Sequence, residues 1–153
     1  MNKKLLTIAA VAMGIASAAT LVSAASPANR IAARQANFKV MGKSFKGVMD
    51  ELKKPAPDMA VIRTSAGALQ KATTHVADMF PKGTGPEAGV KTHALPVIWE
   101  RSADFRAAAG KLTAAAATFN AAAKSGDMAK IKAALPALGG SCKGCHDTFR
   151  AKD

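Results

Sequence analysis

Residues 138–150 read LGGSCKGCHDTFR, and this stretch combines a chemical motif with a helical apolar pattern. Cys142, Cys145 and His146 form C-x-x-C-H, in which two thiols add to the vinyl groups of a haem and the adjacent imidazole ligates iron. At about 100° per residue, these three side chains share one side of a helix. The stretch therefore predicts one covalently attached haem c with His146 as an axial iron ligand.

Four stretches of the chain carry an apolar seam with steps of three or four residues, which is the spacing of an amphipathic helix. The first two seams are Ile31, Arg34, Phe38, Met41, Phe45, Val48 and Leu52, then Met59, Ile62, Ala66, Leu69, Thr73, Val76 and Phe80. The other two are Ile98, Ser102, Phe105, Ala109, Leu112, Ala116, Phe119 and Ala123, then Met128, Ile131, Leu135, Leu138, Cys142, Cys145 and Phe149. Both motif cysteines thus lie on the inward seam of the fourth predicted helix.

Helix-breaking and capping residues separate the first three predicted helices. Pro55-Ala56-Pro57 ends the first helix, residues 27–52, and Asp58 is a good N-cap for the second. A connection rich in glycine and proline spans residues 81–94, and Pro96 suits the first turn of the third helix.

The boundary between the third and fourth predicted helices is equally clear. Gly126 ends one helix and Asp127 caps the next. Within the fourth helix, Pro136 and Gly139-Gly140 are expected to kink or loosen the helix before the motif. The four seams and short connections predict an all-α, antiparallel up-down-up-down four-helix bundle. The C-x-x-C-H motif favours a haem inside this bundle over a core without a cofactor.

Residues 1–24 have the organisation of a secretory signal peptide. Lys3 and Lys4 precede an apolar run, residues 5–22, and small residues follow at Ser23-Ala24. A retained membrane anchor is the alternative, but the run is rich in alanine and glycine and a processing site follows it at once. Cleavage near Ala24 predicts a periplasmic protein with one domain, residues 25–153.

The net charge of the 153-residue chain is +12, and loss of the signal peptide leaves +10. On an exported protein this surplus favours solubility and acidic redox partner proteins rather than nucleic acid. No block of like charge stands out, and no membrane association is expected after processing. The sequence also offers no general base, nucleophile or substrate pocket beyond the haem, so it predicts no catalytic residues and no enzyme.

Four groups of residues match a known family in the same order along the chain. They are Arg34-Gln35 with Phe38 and Met41; Phe80-Pro81-x-Gly83; Pro96-x-x-Trp99; and the block 141–150, which contains the motif. In these groups the chain resembles cytochrome c′, the class II c-type cytochromes, over nearly the whole mature length. The resemblance implies thioether bonds at Cys142 and Cys145, proximal ligation by His146 and a homodimer.

The resemblance also implies roles for residues outside the motif. Arg150 corresponds to an arginine beside the proximal face of the iron, and Arg34 and Gln35 approach the haem, with Arg34 reaching a propionate. The family's further contact before the third helix falls at Thr92 or His93. Independently, a lone arginine on an apolar seam indicates a buried anion, although its side chain can instead extend to solvent.

The sixth iron position decides the functional interpretation. Low-spin relatives have a methionine four residues after the first-helix arginine, whereas this chain has Phe38, which offers iron no lone pair. The resemblance therefore implies a five-coordinate high-spin haem that binds nitric oxide, with carbon monoxide more restricted by distal crowding. Met41, one turn further on, is interpreted as a core residue beside the haem.

Two other functions remain open from the sequence. The first is a low-spin His/Met electron carrier with Met41 as sixth ligand. The second is a periplasmic dithiol oxidoreductase that uses Cys142 and Cys145, although such motifs are expected near a βαβ pattern, which this chain does not have. Single-electron transfer is also compatible with the five-coordinate haem.

Overall fold

The structure is a computed structural model that describes residues 25–152, and helices make up most of this part of the chain. The helices are α1 (Pro27–Glu51), α2 (Met59–Thr73), α3 (Val97–Glu100), α4 (Ser102–Ser125) and α5 (Met128–Phe149), with 3₁₀ turns at Ala77–Met79 and Pro86–Ala88. The predicted signal peptide, residues 1–24, lies outside the described residues. Among the described helices, none is long and apolar enough to cross a membrane.

Side-chain caps begin three of the long helices, and two of these caps, Asp58 and Asp127, were predicted from the sequence. Ser26 Oγ accepts the Asn29 N–H at 3.3 Å, and Pro27 occupies the first turn of α1, where its missing N–H leaves no bond unmade. Asp58 and Asp127 cap α2 and α5 through the same kind of bond, to the amides of Ala60 and Ala129 at 2.8 and 2.9 Å. Each cap satisfies an N–H group that the helix cannot satisfy itself.

The four long helices form the predicted bundle, in which α1 packs on α2, α2 on α4 and α4 on α5. Cross-helix bonds fix the antiparallel register of α2 and α4: Arg63 Nε donates to the Ala123 carbonyl at 3.2 Å, and Thr113 Oγ1 donates to the Thr73 carbonyl at 3.0 Å. The largest fully buried side chains include Phe119, Ile31, Ile62, Leu69, Ile131, Leu138 and Val48. All seven come from the predicted seams, so the all-α bundle and its core are confirmed.

The prediction of one continuous third helix is wrong, because the structure has two helices in this part of the chain. The backbone leaves the helical region at Arg101, with φ −115° and ψ 51°, between the short α3 and the long α4. The Trp99 Nε1–H group donates to the carbonyls of Phe80 and Pro81, both at 3.1 Å, which orients α3 against the preceding connection. Since no glycine or proline marks the break, the sequence did not show it.

The second predicted helix also differs from the structure, in the residue at which it ends. α2 ends at Thr73, whereas its seam was predicted to continue to Phe80. Val76 and Phe80 lie on either side of the 3₁₀ turn that follows, and both still pack against the core. α5 runs without interruption through Pro136 and Gly139-Gly140. The predicted kink there stays a prediction.

A buried carboxylate fixes the connection between α1 and α2. Glu51 at the end of α1 accepts the backbone N–H of Asp58 at 3.0 Å and pairs with Lys54 at 2.6 Å. The hydrogen bond from Lys54, followed by that from the Asp58 amide, lowers the pKa of Glu51 below its ordinary value of 4.5. Because the pKa is lowered, the carboxylate stabilises the fold above that value, and this contribution is lost as the pH falls through the pKa of the folded state.

We expect Glu51→Gln to lower the melting temperature by a few degrees at pH 7, because the charge-assisted bond to Lys54 is lost. The difference from the unmodified protein should shrink as the pH falls below about 4. Thermal unfolding followed by circular dichroism between pH 3 and 7 measures it. Asp78→Asn is the control, because its carboxylate is exposed and pairs loosely with His75 at 3.5 Å. If the melting temperature of Glu51→Gln is lower by the same amount at every pH, the charge of Glu51 does not stabilise the fold as described.

Candidate haem site

The two motif cysteines lie half-buried on the inner face of α5. Both are free thiols, and both pack against the hydrophobic core of the bundle. Burial raises the pKa of each thiol, most directly because a thiolate would lose its hydration there. A redox-active dithiol needs a lowered pKa in an electropositive, accessible environment. The environment of Cys142 and Cys145 is therefore that of core-facing attachment points and not of an activated dithiol.

His146 follows Cys145 directly and is more exposed than either cysteine. Partial burial, and next the positive charge of Arg150, lower the pKa of its imidazole, while Asp147 acts weakly in the opposite direction. A lowered pKa favours the neutral imidazole, which has the lone pair that an iron ligand requires.

Phe38 and the two thiols face the core from two different helices. Within residues 25–152, the most extensive helix packing is between α1 and α2, α2 and α4, and α4 and α5. Phe38 projects from α1 and the two thiols from α5, and all three are partly buried against the core. Two thiols and an adjacent imidazole are the groups that attach and ligate haem c, and aromatic rings flank them, so the residues present fit this cofactor.

A chain of aromatic rings runs through the core from α1 to α5. The ring of Phe80 lies 6.2 Å from Phe38 and 4.7 Å from Phe105, and Phe105 lies 5.2 Å from Phe149, each pair edge to face. Such pairs contribute about 0.5–1.5 kcal/mol each beyond the area they bury. Since Phe149 is one turn beyond Cys145, this chain connects Phe38 to the segment that carries the thiols.

Arg34 is 3% exposed and its charge is surrounded by neutral oxygens. Its Nη1 donates to Thr84 Oγ1 at 3.1 Å and to the Met79 carbonyl at 3.5 Å; its Nη2 donates to the Thr84 carbonyl at 2.9 Å and to Thr92 Oγ1 at 3.0 Å. The guanidinium also lies 4.3 Å from the ring centre of Phe80. Burial lowers its pKa, and the charge of Glu87 opposes this.

These contacts exclude the alternative in which the Arg34 side chain extends to solvent. Carbonyl and hydroxyl oxygens accept its terminal N–H groups. Thr84 supplies two of these acceptors and was missed from the sequence, where nothing in its neighbourhood marks it. Whether Arg34 also approaches a propionate stays a prediction.

The remaining predicted residues lie on or hydrogen-bond to the connection that precedes α3, or lie at the end of α5. Gln35 Nε2 donates to the Lys91 carbonyl at 2.9 Å. The His93 carbonyl accepts the Ala151 N–H at 2.8 Å, and Arg150, which follows α5 directly, donates its own N–H to the His146 carbonyl at 3.2 Å. The structure thus brings Gln35 and His93 to one connection; their contact with haem, like that of Arg150, stays a prediction.

Met41 is a buried residue of the inward face of α1. It is 7% exposed, and its sulfur lies 3.7 Å from Asn37 Nδ2. The same amide nitrogen donates to the Ala72 carbonyl of α2 at 2.8 Å. The sulfur of Met41 is therefore beside the contact between α1 and α2.

The fold and these residues define a haem-binding four-helix bundle, and comparison with known proteins gives the family. The family model described as Cytochrome C′ matches residues 29–150. Cytochrome c′ from Rubrivivax gelatinosus is 38% identical over 126 residues, which cover 82% of this chain and 97% of that protein. Its crystal structure has a TM-score of 0.74 at 37% identity, with the same two coverages. The chain belongs to the cytochrome c′ family, which binds haem c covalently.

Two further similar structures are complexes with diatomic gases. A nitric oxide complex of a cytochrome c′ variant from Alcaligenes xylosoxidans has a TM-score of 0.76 at 30% identity, covering 86% of this chain and 100% of that one. A carbon monoxide complex of another variant of that protein has a TM-score of 0.74 at 30% identity, covering 84% and 98%.

Replacing both Cys142 and Cys145 with serine should leave no haem that resists extraction into acidified organic solvent, because neither thioether bond can form. Pyridine haemochrome absorbance of the protein after extraction measures this. Ser141→Ala is the control, because Ser141 Oγ bonds only within its own helix, to the Leu138 carbonyl at 2.7 Å. Haem that resists extraction from the double variant would show that attachment does not use these thiols.

Proposed function

We propose that this protein is an exported cytochrome c′ that binds diatomic gas at a five-coordinate, high-spin haem. Cys142 and Cys145 hold the haem by thioether bonds, and His146 is the proximal ligand. When bound, the haem iron supplies one open coordination position for a small ligand. The protein's own residues attach and orient the haem and control access to that position.

Phe38 is the observation that carries this proposal. Its ring is partly buried against the core from α1, and the ring of Phe80 lies edge to face with it at 6.2 Å. A phenyl ring has no lone pair to donate to iron, so Phe38 fills space without ligating. A crowded distal face admits small diatomic molecules and discriminates among them by shape.

The gas complexes of the Alcaligenes protein support the choice of ligand. We propose nitric oxide as the main ligand of this chain and carbon monoxide as a weaker one. Carbon monoxide prefers a linear approach to iron, so a bulky distal ring hinders it more than it hinders nitric oxide, which bends.

The low-spin alternative requires Met41 to reach the iron. Its sulfur lies beside the α1–α2 contact and near the Asn37 amide, and moving it would open a cavity in the core. Loss of a buried methionine side chain from a core typically costs about 2–5 kcal/mol. This free-energy cost favours Met41 as a core residue and disfavours a His/Met electron carrier.

Export, assembly and electron transfer belong to the same proposal. The signal-like order of residues 1–24 supports cleavage after Ala24 and a periplasmic location.

Val40 and Val61 are exposed valines on the paired helices α1 and α2, which supports a homodimer through this pair. The positive net charge supports acidic redox partners if the haem also passes single electrons. We assign no catalytic reaction.

Phe38→Ala should raise the rate of carbon monoxide binding to the ferrous protein by about tenfold, equivalent to ~1.4 kcal/mol of steric barrier. Nitric oxide binding should change less. Stopped-flow or flash-photolysis kinetics measure both rates. Phe45→Ala is the matched control, because Phe45 is also a partly buried phenylalanine of the α1 seam. Equal carbon monoxide rates in the two variants would mean that Phe38 does not control access to the iron.

A further inference from the structure

We propose that Gly67 of α2 and Asn120 of α4 form a binding site for one ordered water molecule, which hydrogen-bonds to the side-chain amide of Asn120 between the two helices. The site depends on neither the haem nor the proposed gas binding, because all of its groups belong to the contact between α2 and α4. Along this contact it lies between the cross-helix bonds that Arg63 and Thr113 donate.

The side-chain amide of Asn120 is buried, and only one of its two ends has a partner. Asn120 is 5% exposed, although it is a polar residue on a helix that packs closely against α2. Its Nδ2 donates to Oε1 of Gln70 on α2. Its Oδ1 is buried and accepts no hydrogen bond from the residues that the structure describes. Burial of an acceptor without a donor is costly, so this oxygen points to a bound donor.

Gly67 provides the space in which such a donor fits. A Cβ atom built on Gly67 would have Asn120 Oδ1 at 4.0 Å and, outside its own stretch of α2, no other described atom within that distance. A water molecule beside the glycine can therefore lie at about 2.8 Å from the oxygen. A methyl group at this position would meet no clash, so packing does not require glycine. Glycine is also among the least favourable residues inside a helix.

Water is the ligand that this site fits best. Gly67 is half-buried, so the space beside it reaches solvent on one side. A water molecule there donates one hydrogen to Asn120 and keeps its other hydrogen bonds with the solvent. Since water both donates and accepts, it satisfies whichever end of the amide faces it. Asn120 and Gln70 are neutral, so the site offers no charge that would hold an ion.

Serine and alanine at position 67 separate a hydrogen-bonding site from a packing effect. The hydroxyl of Gly67→Ser can reach Asn120 Oδ1 from a Cβ atom 4.0 Å away and can replace the water as donor. The methyl group of Gly67→Ala occupies the same space without a donor. Helix propensity alone ranks alanine above serine. The proposed site therefore predicts the reverse order of stability at this position.

Thermal unfolding of the haem-loaded protein, followed by circular dichroism, measures this order. We expect Gly67→Ser to melt about 3 °C above Gly67→Ala, because only serine satisfies the buried acceptor. Gly110→Ser and Gly110→Ala are the matched controls, since a Cβ atom at Gly110 inside α4 would meet no described atom within 4 Å. At Gly110 alanine should give the higher melting temperature. Gly67→Ala melting at or above Gly67→Ser would overturn the need for a donor at this site.

Two further measurements identify the acceptor and the water. In the Asn120→Leu background the acceptor is gone, so the order at position 67 should revert to that of helix propensity. An order that stays reversed there would show that Asn120 is not the partner. A high-resolution crystal structure should contain an ordered water within about 3.2 Å of the Asn120 amide, replaced by the introduced hydroxyl in Gly67→Ser. If no water lies within that distance in the unmodified protein, the proposed site does not exist.

Discussion

Burial of one apolar face by each long helix is the constraint that organises this structure. α2 and α4 take part in most of the close helix packing, and aromatic rings and the connection before α3 also join α1 to α5. The same inward faces carry the half-buried thiols on α5 and Phe38 on α1. The haem that we propose at these thiols would therefore lie against the shared core.

Local patterns in the sequence predicted most of the fold and the attachment site. The seams predicted the core because burial follows helical periodicity, and Asp58 and Asp127 predicted helix starts because capping is a local hydrogen bond. The C-x-x-C-H motif is likewise local: its spacing alone puts both thiols on the inward seam of α5. The motif itself predicted haem c, and the family resemblance added roles for residues outside it.

Features that depend on distant contacts were not predictable in the same way. The break at Arg101 has no helix-breaking residue, and it accompanies the bonds from Trp99 to the Phe80 and Pro81 carbonyls. Arg34 was recognised as unusual on its seam, but its acceptors come from residues about fifty positions away. Backbone carbonyls belong to every residue, so a sequence does not indicate which of them will meet a buried donor.

The central claim is that the chain supplies one axial iron ligand and withholds the second. The optical spectrum of the purified ferrous protein, recorded before any gas is added, tests it most directly. The account predicts the broad bands of a five-coordinate, high-spin haem, because Phe38 offers no lone pair and Met41 is held beside α2. The sharp, split visible bands of a low-spin haem would contradict it and would require a protein ligand on the sixth position.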